Sequence, residues 1–168
     1  MTIMKKNIRL FGLLVSAALL FSACGTTEKE DVKDVIDMDQ LRVEIQAMED
    51  AYAAGQKAKD ADAVVAYYSE SAISYSQNEQ PISGKKAIRD NIAKEIAKDT
   101  TENYNVYKVV DLFADGNNAV EIGSWTEFDS SGKEKDNGNY MSYFEKRDGK
   151  YFCVRDMSTT ATPVKTGM

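Results

Sequence analysis

The 168-residue sequence contains no histidine. This removes Ser-His-Asp and Cys-His catalysis, His-ligated zinc and the usual general base near neutral pH. Cysteine is scarce, with two residues, Cys24 and Cys153, and proline equally so. Basic charge is outweighed: 21 Lys and Arg stand against 27 Asp and Glu. An acidic chain without a basic cluster is a poor nucleic-acid binder, so no nucleic acid is expected among its partners. No apolar run reaches the roughly twenty residues of a spanning helix. The acidic stretches Glu28 to Asp39 and Glu134 to Gly138 lack the spacing of a calcium loop, and no phosphate-binding glycine loop or serine elbow occurs. No cofactor and no metal site are therefore expected.

The N-terminus reads as an export signal. Lys5, Lys6 and Arg9 precede about twelve largely apolar residues from Leu10 to Phe21, followed by Ser22-Ala23-Cys24-Gly25. Met4 would serve equally as the start. Small residues directly before a cysteine resemble the lipobox of bacterial lipoproteins. That resemblance implies cleavage after residue 23, acylation of Cys24, and anchoring to the cell envelope, outer membrane or cell surface through lipid. Removing residues 1–23 leaves 18 basic against 27 acidic residues, a net charge of −9. Such a chain is repelled by anionic headgroups, so attachment rests on the lipid. With Cys24 acylated, Cys153 has no partner and reads as a buried, inert thiol.

Residues 24–39 are polar and acidic and read as a tether. Acidic residues this close to the cysteine also resemble a surface-export signal of some Bacteroidota lipoproteins. Residues 40–163 form the expected domain, and 164–168 a tail. Leu41, Ile45, Met48 and Tyr52 make one helical stripe, with Asp39 as N-cap. Asp60 or Asp62 caps a short second helix carrying Val64, Val65, Tyr67 and Tyr68, and Ala72 to Ser76 is extended. Gln77 to Gly84 is turn chemistry, and Ile88, Ile92 and Ile96 share a face of a third helix. Four strands follow: Tyr104 to Ala114, Ala119 to Asp129, Asn139 to Lys146 and Lys150 to Thr160. On the second, Glu121, Gly123 and Trp125 alternate against Val120, Ile122 and Ser124. Segregated helices and an antiparallel meander give an α+β domain.

Three segments resemble one family. Ala51-Tyr52-Ala53-Ala54 with Lys59-Asp60-Ala61-Asp62 and Tyr67 to Ala72, Pro81 to Ile88, and Tyr143 to Met157 are similar in order and spacing to SnoaL-like and ketosteroid-isomerase-like domains of the nuclear transport factor 2-like superfamily. The resemblance implies a cystatin-like cone, in which a strongly curved antiparallel sheet wraps around a long N-terminal helix and encloses a pocket. It also implies a homodimer through the sheet's outer face. Gly123 is a candidate kink in the sheet.

Isomerase members use a helix tyrosine and two aspartic acids. The tyrosine matches Tyr52, while the acids fall near Ser76, beside Tyr75, and near Ser142, where this chain has no carboxylate. Asp156 and Arg155 point to opposite faces by alternation, with Asp156 on the side of Phe152 and Val154. Asp156 is either an inward, desolvated proton acceptor or a strand-end partner for a surface lysine. Tyr52 either packs in the core or reaches the pocket. Tyr68, Trp125 and Tyr143 complete the candidate lining, with Trp125 and Tyr143 forming an aromatic wall or packing in the core. The first expectation for function is a lipid-anchored domain binding a small, mostly apolar molecule. The others are an isomerase or lyase using Tyr52 and Asp156, and a structural dimer with a filled interior.

Overall fold

A computed structural model describes residues 35–163. The signal segment, Cys24, most of the tether and the tail 164–168 lie outside the described residues.

Helix α1 spans Met38–Lys57, and Asp37 rather than Asp39 caps it: its carboxylate accepts from the Gln40 N–H at 3.0 Å. Such a cap stabilises by about 1 kcal/mol. Leu41 and Ile45 are buried and Met48 and Tyr52 pack against the same core, as the stripe requires. Each fully buried aliphatic side chain there contributes roughly 1.5–3 kcal/mol. Glu49 shares this face and is buried too. Asp60 caps α2 (Ala61–Val65) through the Asp62 and Ala63 amides. The second helix is shorter than expected. Tyr67 follows it and Tyr68 already opens strand β1 (Tyr68–Tyr75). Their rings belong to the buried core, and a strand places them there without a further helical turn.

After β2 (Ile82–Ser83), α3 (Lys85–Lys98) starts at Gly84, whose φ of 90° favours glycine. The long strands follow as β3 (Tyr104–Asp115), β4 (Asn118–Phe128), β5 (Glu134–Arg147) and β6 (Lys150–Thr160). The β4–β5 loop is shorter than expected, because β5 extends back to Glu134 and pairs with Phe128.

The strand order is β2-β1-β6-β5-β4-β3 in an open six-stranded sheet. All neighbours are antiparallel except β1 and β6, which run parallel, so the sheet is mixed rather than purely antiparallel. Helix α1 covers the free edge of β3. Gln46 donates to Tyr107 O at 3.0 Å and accepts from Val109 N at 3.0 Å, while Arg42 donates to Val109 O and Val110 O. These side chains occupy backbone groups that a second chain would otherwise pair with.

Two irregularities set which side chains face inward. The β3 register shifts at Val110, opposite Gly123 and Ile122, while β4 runs through Gly123 in register with β5. The break lies on β3 and not at Gly123. On β6 the register moves from Phe144↔Cys153 to Tyr143↔Arg155, leaving Val154 as an extra residue. This bulge reverses the alternation.

Candidate functional site

The inner face of the sheet and α1 enclose a cavity of about 260 Å³, lined by Glu49, Tyr52, Tyr67, Tyr68, Asn105, Tyr107, Trp125, Tyr140, Ser142, Asp156 and Ser158. Helix α1 contributes Glu49 and Tyr52, β1 contributes Tyr68, and the four long strands supply the rest except Tyr67. Tyr52 sits at the centre of the aromatic wall, its ring centroid 5.2 Å from Tyr67 and 5.5 Å from Tyr107.

Of the expected lining residues, Tyr52, Tyr68, Trp125 and Asp156 meet in this cavity. Tyr143 does not. It pairs with Arg155 and Val120, alternates with the buried Ser142 and Phe144, and donates its hydroxyl to Asn118 Oδ1 at 2.7 Å. Strand alternation therefore places it on the outer face, and the Trp125–Tyr143 wall does not form. Asp156 points inward through the bulge. Its cross-strand partner is Ser142, and it follows Cys153 on the inner face rather than Phe152 and Val154.

Tyr68 donates to Asp156 Oδ2 at 2.9 Å, while Asp156 Oδ1 is buried without a hydrogen-bond partner. Burial raises the Asp156 carboxyl above its ordinary range, and hydrogen bonds from Tyr68, from Ser74 and from its own backbone oppose that. The surface-lysine arrangement does not occur. Cys153 is a free, fully buried thiol donating to Arg155 O, and burial pushes it up as well.

Two further carboxyls escaped the sequence reading. Glu49 accepts from the Tyr67 hydroxyl at 2.6 Å, and that hydroxyl lies 2.9 Å from Ser142 Oγ. Glu121 is fully buried behind Tyr140, whose hydroxyl donates to Glu121 Oε1 at 2.6 Å. The two carboxyls are within hydrogen-bonding reach of each other. Burial first, then the charge of Glu121, pushes Glu49 up to about 9, and burial raises Glu121 also. One proton held between them is the physical consequence. The signals were present. Glu49 lies four residues after Ile45 on the apolar stripe, and Glu121 alternates with Gly123 and Trp125. Ser142, where an isomerase acid falls by resemblance, faces the cavity as a hydroxyl, and Ser76 is exposed beyond the end of β1.

Glycine and aromatic residues are paired across β4 and β5: Gly123 faces Tyr140, and Trp125 faces Gly138. A Cβ at Gly123 would fall inside the Tyr140 ring, and one at Gly138 would meet Thr159 O and the Trp125 indole. Each ring therefore occupies space that only a glycine opposite leaves free.

Solved structures with the same fold include a Mycobacterium tuberculosis protein of unknown function, 17% identical over 78% of this chain and 79% of that one, with a TM-score of 0.66. A nuclear transport factor 2-like protein with a cystatin-like fold from Novosphingobium aromaticivorans is 16% identical over 76% and 86%, with a TM-score of 0.63. A ketosteroid isomerase-like protein from Erwinia carotovora is 16% identical over 74% and 99%, with a TM-score of 0.60. At these identities the likeness concerns the fold. No curated protein matches the chain by sequence. The family model for the SnoaL-like domain matches residues 38–153, from the first residue of α1 to the buried cysteine of β6, and the chain belongs to that family.

Proposed function

We propose that this SnoaL-like domain binds a small ring-sized molecule in its interior cavity, held at the cell envelope by lipid on Cys24. The carrying observation is the cavity itself: about 260 Å³ remains between α1 and the sheet, lined by aromatic faces with hydroxyl and carboxyl edges. Aromatic walls with a few convergent polar groups are the usual make-up of a small-molecule pocket. The lining narrows the expected mostly apolar ligand to a flat molecule with a polar group. Binding of small aromatic and alicyclic compounds to the full chain, followed by Trp125 fluorescence and thermal shift, tests this reading. A panel that leaves both signals unmoved at about millimolar concentration would remove it.

The lipoprotein part rests on the order of basic flank, apolar run, small residues and Cys24. Among the described residues no helix is long and apolar enough to cross a membrane. Replacing Cys24 with serine should release the protein from membranes, and persistent association would sink the anchor. Homodimerisation through the outer face is supported by a row of side chains in register, Ile122, Met141 and Met157, of which Met141 is 42% and Met157 50% exposed.

A second reading is catalytic. The free Oδ1 of Asp156, on a carboxyl oriented by Tyr68 beside Tyr52, suits proton transfer of the isomerase or lyase type. Deuterium exchange into a bound carbonyl compound, lost in Asp156→Asn, would establish it.

A further inference from the structure

The cavity is unusual in what its polar edges offer. Apart from the Tyr52 hydroxyl and the second N–H of Asn105, its aromatic and amide donors are already engaged with the protein. Tyr67 donates to Glu49, Tyr68 to Asp156, Tyr107 to Gln56 Oε1, Tyr140 to Glu121, Asn105 to Gln56 Oε1, and Trp125 to Thr159 O. What remains toward the interior is mainly acceptor capacity: hydroxyl lone pairs, and the buried, unpartnered Oδ1 of Asp156. No Lys or Arg lines the cavity. The cation acting on Glu121 is Arg42, whose guanidinium is held on the Val109 and Val110 carbonyls at the β3 bulge. Glu49 and Asp156 thus line one interior with no basic side chain on its wall and Glu121 behind Tyr140, a costly arrangement unless the carboxyls hold protons or a positive charge enters.

We infer that the cavity receives a small organic ammonium ion, an N–H of which donates to Asp156 Oδ1 while the tyrosine and Trp125 rings surround its carbon frame. Aromatic faces attract a cation through their quadrupole, and the carboxyls supply the opposite charge. A carboxylate ligand would meet repulsion from ionised Asp156 and from the one charge left on the Glu49–Glu121 pair. A neutral carbonyl would find the hydroxyls of Tyr52, Ser142 and Ser158 and one N–H of Asn105 as donors, none of them charged. An inorganic ion is poorly served, since no group of three or more metal-ligating side chains occurs among the described residues. The volume is below that of pockets for drug-sized ligands, roughly 300–1,000 Å³, so one ring with a short amine arm fits. A primary ammonium should bind better than its trimethylated form, which carries no N–H. Binding favours the carboxylate form, so Asp156 and the Glu49–Glu121 pair release protons to solvent as the cation enters.

This inference rests on the small-molecule reading, and the test separates the two. Benzylamine, benzyl alcohol and benzoate are titrated into the full chain in mild detergent, followed by Trp125 fluorescence and calorimetry. Benzylamine should bind at least about tenfold more tightly than benzyl alcohol, with no binding of benzoate. Its affinity should rise from about pH 5 to about pH 8 while the amine stays charged. The groups facing Asp156 are Glu49 and Tyr52 of α1, Tyr68 and Ser74 of β1, Tyr107 of β3, Ser142 of β5 and Cys153 of β6; none carries positive charge, so the rise reflects carboxyl ionisation. Asp156→Asn should abolish the preference for the amine. If that variant fails to fold, the wild-type pH profile decides. Equal or tighter binding of benzyl alcohol or benzoate, or a flat pH profile, would overturn the ammonium inference and leave small-molecule binding standing. Silence from all three would overturn both.

Discussion

The Tyr140 ring occupies the space that a side chain on Gly123 would take, and from there its hydroxyl donates to Glu121 Oε1 at 2.6 Å. The pair couples a backbone requirement on β4 to a buried charge on the same strand. Replacing Gly123 with alanine should cost about 1–3 kcal/mol, because the Cβ displaces the ring and leaves Glu121 without its donor. Urea denaturation measures this. Truncating Tyr140 to leucine in the same background should make the second change cost less than it does alone, a non-additivity that an ordinary surface glycine would not show.

Glu49 gives a pH dependence of defined sign. Its carboxyl titrates at an ordinary value near 4.5 when unfolded and near 9 when folded. The folded state therefore binds the extra proton between these values. Its contribution to stability is complete below the lower value and is lost as pH rises toward the upper one. Unfolding midpoints should fall from about pH 5 to about pH 9. In Glu49→Gln the amide donates to Glu121 at every pH, so the slope should flatten and stability at pH 8 should rise by about 1–2 kcal/mol. A variant as pH-sensitive as the wild type would contradict the assignment.

Gln46 should protect the sheet edge. Its alanine variant loses the bonds to Tyr107 O and Val109 N. The expected result is a loss of about 1–2 kcal/mol together with faster aggregation, read by denaturation and light scattering. Unchanged solubility would show that Arg42 alone covers β3.

The outer face carries the association prediction. Met141 stands between Ile122 and Met157 in register, and a carboxylate there adds charge at the middle of the row. Met141→Asp should convert a dimer to a monomer in size-exclusion chromatography with light scattering, at little cost in monomer stability because the residue is 42% exposed. A wild-type monomer would remove the dimer proposal.

The elements of this fold are visible in local patterns where burial follows a simple period. The Leu41, Ile45, Met48 and Tyr52 stripe gave α1, and the alternation on β4 placed Glu121 with Gly123 and Trp125. Patterns misled where geometry departs from the period. Straight alternation on β6 puts Asp156 with Phe152 and Val154, but the bulge skips Val154 and sets Asp156 after Cys153 on the inner face. Tyr143 was grouped with Trp125 as an aromatic, although its parity with Ser142 and Phe144 sends it outward.

The absence of histidine, the family motifs and the candidate lipid attachment are properties of the chain alone, since they depend on which residues are present and in what order. The sequence also determined that α1 has an apolar face, because helical spacing is local. That Glu49 lies on that face as a protonated acid, beside Glu121 from a strand about seventy residues away, was decided only by tertiary packing. A carboxyl's charge state depends on the water and charges around it, and those neighbours come from distant parts of the chain.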